Sequence, residues 1–228
     1  FGEINCVGLP TDSTDPTNFY SALIVISPQV DPQGTINPST NFLILKGAST
    51  NFIITASNYY YVAGVLTNSA SAPGTYGTSQ VEFLFANVQA YRTGIVYGLI
   101  EPYLATQGTP QWWLAQFGFT NEFDQAEEDD DDLDGVPTAD EYVAGTIPTN
   151  RLSVFRIVGQ GRQSGSNFIQ WIGGTSGPTN PYGIYVSTNL QQGIWSLTGR
   201  VQRLDGTNTL WLILPTQTPA FYRITATN

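Results

Sequence analysis

The sequence predicts an all-β protein: two small antiparallel β-sandwich-like domains joined by a short helix and an acidic loop of EF-hand-like spacing. Three observations predict it. Short β-branched and aromatic runs, separated by Gly, Pro, Asn and Ser clusters, fill both ends of the chain, as strands and tight turns do. One stretch near the middle carries helix start and stop signals. Next to it, eleven of the eighteen carboxylates fall between Glu122 and Glu141, while the rest of the chain holds seven acids against eight bases. The domains read as 1–104, a linker at 105–150, and 151–228.

In the first domain the strands are expected at Phe19–Ser27, Asn41–Lys46, Asn51–Ala56, Tyr60–Thr67, Val81–Val88 and Gly94–Ile100. Val81, Phe83 and Phe85 alternate along their strand, so they should share the face that enters the core. In the second domain they are expected at Leu152–Val158, Asn167–Gly173, Tyr182–Thr188, Gly193–Gly199, Thr209–Pro215 and Ala220–Ala226. Six short strands at this spacing suit a small sandwich or barrel.

The helix runs from Gln111 to Phe117, with Thr109 as its cap, Pro110 in its first turn, and Gly118 placed to end it in a left-handed conformation. Trp113 and Phe117, four apart, share a face that packs against a β domain.

Read from Asp130, the string DDDDLDGVPTADE fits a twelve-residue calcium loop, with Gly135 at position six and Glu141 at position twelve fixing the register. Asp130, Asp132 and Asp134 take positions one, three and five. Val136 offers its carbonyl at seven and Thr138 sits at nine. Alternate Asp side chains converge on one point, the Gly permits the turn, and a Glu on the following helix closes the oxygen shell of Ca2+. Thr138 and Glu141 are also spaced to form a capping box for a helix over TADEYVAG.

Other chemistry is narrowed by absence. With no His, the chain has no Ser-His-Asp or Cys-His machinery and no imidazole metal site. Cys6 stands alone, so an intrachain disulfide and a Cys-based zinc site are excluded. A net charge of −10 has the wrong sign for nucleic acid, and the longest apolar runs fall far short of the roughly 20 residues of a membrane span. The remaining acids, Glu3, Asp12, Asp15, Asp31, Glu82, Glu101 and Asp205, form no pattern that suits a two-carboxylate hydrolase. Met is absent even at position 1, and Lys46 is the single lysine. Low charge and abundant Thr, Ser, Asn, Gly and Tyr fit a secreted protein whose signal peptide has been removed. An isopeptide cross-link from Lys46 is a further expectation to check.

The stretch from Thr109 to Ile157, with its Trp-rich helix, acidic loop, Glu141–Tyr142 and the turn Gly145–Asn150, resembles a linker of bacterial secreted and cell-surface proteins. There, a dockerin-like or thrombospondin type 3-like calcium loop precedes a C-terminal β-sandwich, to which YGIYVSTNLQQGIWSLTG and AFYRITA are similar. The first half more weakly resembles bacterial surface β repeats, through GTINP, NFIITASNYYYVAGVLTNS and VEFLFANVQA. The resemblance implies secretion and calcium, not a reaction. A single loop departs from the two of dockerins, which disfavours cohesin docking.

The expected function is therefore a non-enzymatic structural subunit of an extracellular or cell-surface assembly, self-associating into a filament or surface layer and rigidified by Ca2+. An adhesin or carbohydrate-binding module is the alternative, with Tyr59 to Tyr61, Trp171, Trp195 and Trp211 as the aromatics that would meet a polysaccharide.

Overall fold

The computed structural model describes residues 23–89, 93–164, 166–212 and 221–227. Cys6, the start of the first expected strand and the segment 213–220 lie outside the described residues. The chain divides into two compact units, Phe1–Tyr103 and Leu104–Asn228. Strands dominate both, and no described helix is long and apolar enough to cross a membrane.

The first unit holds β1 (Leu23–Val30), β2 (Gly34–Asn37), β3 (Phe42–Leu45), β4 (Thr50–Ala56), β5 (Tyr60–Thr67), β6 (Ala70–Ser71), β7 (Gln80–Phe85) and β8 (Thr93–Pro102). They form a five-stranded sheet in the order β3-β1-β8-β5-β6 and a three-stranded sheet β2-β4-β7. Residues of both sheets meet in one apolar core: Ile24 and Ile26 of β1 and Phe52 and Ile54 of β4 by alternation, and Val62 and Val65 of β5 across a break in its register. Val81 and Phe83 are buried as the alternation requires, and Phe85 packs half-buried against the same core.

Two differences from the expected strands have local causes. β2 is short and contributes only Ile36 to the core, so its sequence carries almost no alternation. β1 runs parallel to β8, with Val25 opposite Thr93 and Val30 opposite Gly98, so the unit is not wholly antiparallel. Such pairing joins strands far apart in sequence, which local turn signals do not report.

The second unit begins with three short helices, α1 (Gln111–Gln116), α2 (Phe123–Glu128) and α3 (Thr138–Ala144). Six strands follow: β9 (Arg156–Gln163), β10 (Ser166–Gly173), β11 (Tyr182–Ser187), β12 (Ser196–Val201), β13 (Gly206–Leu212) and β14 (Phe221–Thr225). They make two antiparallel three-stranded sheets, β13-β10-β9 and β12-β11-β14. Ile169 and Trp171 of β10 and Tyr182 and Ile184 of β11 form their shared core. β9 starts later than expected. The Asn150 side chain accepts from the Leu152 N–H at 3.2 Å, and the Ser153 N–H reaches the Asn150 carbonyl at 2.7 Å, closing a turn that leaves Leu152 79% exposed.

Thr109 does not cap α1. The capping position is Pro110, whose carbonyl accepts from the Trp113 and Leu114 N–H groups, while Thr109 is buried one residue earlier. Gly118 is left-handed at φ +94°, and the Trp113 ring meets Phe117 edge-on at 4.8 Å. Lys46 is exposed just after β3, away from the dry surroundings an isopeptide bond requires.

Candidate metal centre

Between α2 and α3 the chain turns through the acidic loop, with Leu133 at φ +62° and Gly135 at φ +97°. The turn is built by carboxylates accepting backbone N–H groups. Asp130 accepts from Asp134 at 3.1 Å and from Gly135 at 2.8 Å, Asp132 accepts from Asp134 at 3.1 Å, and Asp134 accepts from Val136 at 2.9 Å. Asp130, Asp132 and Asp134 thereby bring one oxygen each within 4.8 Å of one another.

Glu141 lies outside this group of three but is coupled to it. It is 1% exposed on the first turns of α3. Burial, and then the charges of Asp132, Asp134 and Asp130, push its carboxyl up to about 8; a hydrogen bond from Thr146 acts the other way. Thr146 donates to Glu141 Oε1 at 3.2 Å. Burial and the charge of Asp134 also raise Asp132. Glu141 Oε2, Asp132 Oδ2 and Asp134 Oδ2 are buried without a hydrogen-bond partner. Three orphaned carboxylate oxygens, two in the loop and one on α3, are costly unless a cation or a proton satisfies them. All three are hard oxygen donors, and Asp130, Asp132 and Asp134 are grouped closely enough to hold a metal ion.

The other two expected ligands make hydrogen bonds to neighbouring loop groups. Val136 is half-buried and its N–H is bound to Asp134. Thr138 is fully buried, and its hydroxyl and N–H both donate to the Asp129 carbonyl, at 3.0 and 2.9 Å. Thr138 and Glu141 form no capping box: Pro137 is the capping residue of α3, and the Glu141 N–H goes to the Pro137 carbonyl.

The acids before the loop do a different job, to which the sequence reading assigned no role. Glu127 of α2 is fully buried and accepts from the backbone N–H groups of Gln107 and Thr109; Asp124 accepts from Thr106 at 2.8 Å. These carboxylates pin the loop that leads into α1. Spacing gave a signal, since Phe123, Ala126 and Glu127 lie three and four apart on one helical face.

α3 is held by the β-strand part of its own unit. Arg203, 4% exposed, donates from Nη1 to the Val143 carbonyl at 2.7 Å, from Nε to Asn180 at 2.6 Å and from Nη2 to Thr227 at 3.1 Å. Tyr182 Oη reaches the Ala144 carbonyl at 3.3 Å, the Ser176 N–H reaches Gly145 at 3.1 Å, and the Ser176 hydroxyl donates to the Thr146 carbonyl. Trp113 donates its indole N–H to the Ser176 carbonyl and meets Tyr142 edge-on at 5.1 Å. Gly145 allows this close approach: it is left-handed at φ +80°, and a Cβ there would lie 2.4 Å from the Gly174 carbonyl oxygen.

Of the aromatics expected to meet a sugar, Trp171 is fully buried and packs on Tyr182, and so is removed. Tyr61 is half-buried, pairs with Tyr103 at 4.9 Å and donates to Glu101 at 2.9 Å. Trp195 is half-buried beneath the Arg223 guanidinium, 4.9 Å from its ring centre. Nothing is described of the Trp211 side chain. The chain matches no protein-family model and no curated protein.

Proposed function

We propose that residues 129–146 form a calcium site and that the chain is a non-enzymatic extracellular structural subunit whose second unit is rigidified by the cation. The observation that carries the reading is the set of buried, partnerless oxygens on Asp132, Asp134 and Glu141 beside the Asp130–Asp132–Asp134 group. Asp130, Asp132, Asp134 and Glu141 would hold the ion through side chains, with Val136 and Thr138 completing the shell from positions seven and nine.

The bound ion acts here as a fastener. The charge it neutralises lies at the start of α3, and the carbonyls at the end of α3 are those held by Arg203, Tyr182 and Ser176. Fixing one end of this seven-residue helix therefore braces the other end against the sheets. Surface assembly and secretion rest on the resemblance of residues 109–157 to linkers of secreted proteins.

Calcium titration by calorimetry tests the site. The expected affinity is ~0.1–1 mM, the range of extracellular loops. No heat of binding, together with unchanged protease cleavage in chelator, overturns it. Electron microscopy in millimolar calcium and after chelation tests the assembly: ordered polymers that loosen in chelator support it, and monomers in both conditions refute it.

A further inference from the structure

Charge in the second unit is segregated more sharply than the whole-chain balance suggests. All eleven acids of Glu122–Glu141 sit in its helices and loop, whereas residues 151–228 carry six arginines against one carboxylate, Asp205. Arg203 is buried and committed to backbone carbonyls.

Two of the remaining arginines share a prepared surface. On the outward face of β12-β11-β14, Tyr185 stands opposite Arg223 and Leu197, and Gly183 opposite Arg200. The Arg223 guanidinium lies 5.2 Å from the Tyr185 ring and 4.9 Å from the Trp195 ring. A guanidinium held near two rings still has N–H groups to offer a carboxylate. Among the described residues no carboxylate pairs with Arg223 or Arg200. Leu197, 43% exposed, adds an apolar patch. Trp, Tyr and Arg around an apolar contact is the composition of an interface centre.

A complementary surface lies on the same chain. Leu133 is 78% exposed in the acidic loop, flanked in sequence by carboxylates, and Glu128 and Asp131, five and two residues before it, are exposed. We propose that the loop of one copy docks on the β12-β11-β14 face of the next, with Leu133 against Tyr185, Trp195 and Leu197, and with Arg200 and Arg223 opposite Glu128 and Asp131. The contact is heterologous, so it propagates into a ring or an open filament. It rests on the self-association reading above and supplies that reading with an interface.

The test is sedimentation of the full chain in millimolar calcium. Wild type associates with rising concentration, and about 0.5 M salt weakens it by screening. Arg200→Glu/Arg223→Glu and, separately, Glu128→Lys/Asp131→Lys each weaken association more than about tenfold by placing like charges together. Leu133→Ser, which removes the apolar side chain without changing charge, weakens association as well. Mixing the two charge-reversed variants restores association in a 1:1 alternating assembly, since each face then meets an opposite loop. Variants that associate like wild type, or a mixture that stays monomeric, overturn the interface while leaving self-association standing. Wild type that is monomeric throughout overturns both. Polygalacturonate binding that is lost in Arg200→Glu/Arg223→Glu assigns the face to an acidic glycan and likewise overturns the proposal.

Discussion

The two units bury different kinds of side chain. In the first, the described core is aliphatic and aromatic, from Ile24 to Val96. In the second, the apolar clusters are smaller, and every buried polar or charged residue described in the protein lies there, among them Glu127, Thr138, Glu141, Thr146, Arg203 and Asn208. An apolar core is non-directional and tolerates salt, pH and chelators. A core closed by buried polar groups is specific and depends on each group keeping its partner. The first unit should therefore respond to volume and the second to charge.

The largest effect that sharpens this contrast is a cavity in the first unit. Phe52 is fully buried between the sheets, and Phe52→Ala should cost about 3–5 kcal/mol. Calorimetry should show the first unit's transition lowered and the second unit's calcium response unchanged. A change in that calcium response would break the distinction.

Arg203→Met keeps much of the side-chain volume but removes three charge-assisted bonds to the carbonyls of Val143, Asn180 and Thr227. A loss of about 3 kcal/mol or more is expected in the second unit alone. Hydrogen exchange should show faster opening at the end of α3. A variant as stable as wild type would mean that α3 is not held through this arginine.

Much of this division was legible in the sequence. Alternation in VEFLFANV marked the inward face, because period two is imposed by the strand itself. The grouping of Asp130, Asp132 and Asp134 was legible because alternate aspartates in a tight loop converge on one point. Less was visible where long-range partners decide. Thr109 reads as a cap beside Pro110, yet Glu127, eighteen residues away, claims its N–H. The parallel β1–β8 pairing has no local signature. The role of Arg203 was invisible, since nothing in RVQRLDG tells a solvated arginine from one that gathers three segments.

Next in size is a reversal of sign at Glu141. Glu141→Gln removes a proposed calcium ligand, so at calcium 100-fold above its dissociation constant the variant should lose about 2–3 kcal/mol relative to wild type. In chelator at neutral pH the folded state must keep Glu141 protonated beside Asp132, Asp134 and Asp130; Gln removes that cost, and the variant should match or exceed wild type in stability. Thermal unfolding of both proteins in both buffers reads the crossover. Parallel losses in the two buffers would show that Glu141 acts through packing alone.

The smallest effect expected is the pH dependence of the chelated protein. The Glu141 carboxyl is raised from its ordinary value to about 8 by burial and by Asp132, Asp134 and Asp130, with Thr146 the one neighbour that favours the charged form. Between those two values the folded state holds a proton that the unfolded chain has released. Stability must therefore fall as pH rises from about 5 to 8, by linkage. The chelated loop can open locally to admit water, which limits the change to on the order of 1–2 kcal/mol. The first unit buries no described carboxylate in this way, so its transition should stay flat over the same range. With calcium bound the ligands must be ionised, so the slope for the second unit should reverse. A second unit that is equally stable at pH 5 and pH 8 in chelator would mean that Glu141 is solvated in solution, and that the contrast between the two cores is one of composition without energetic consequence.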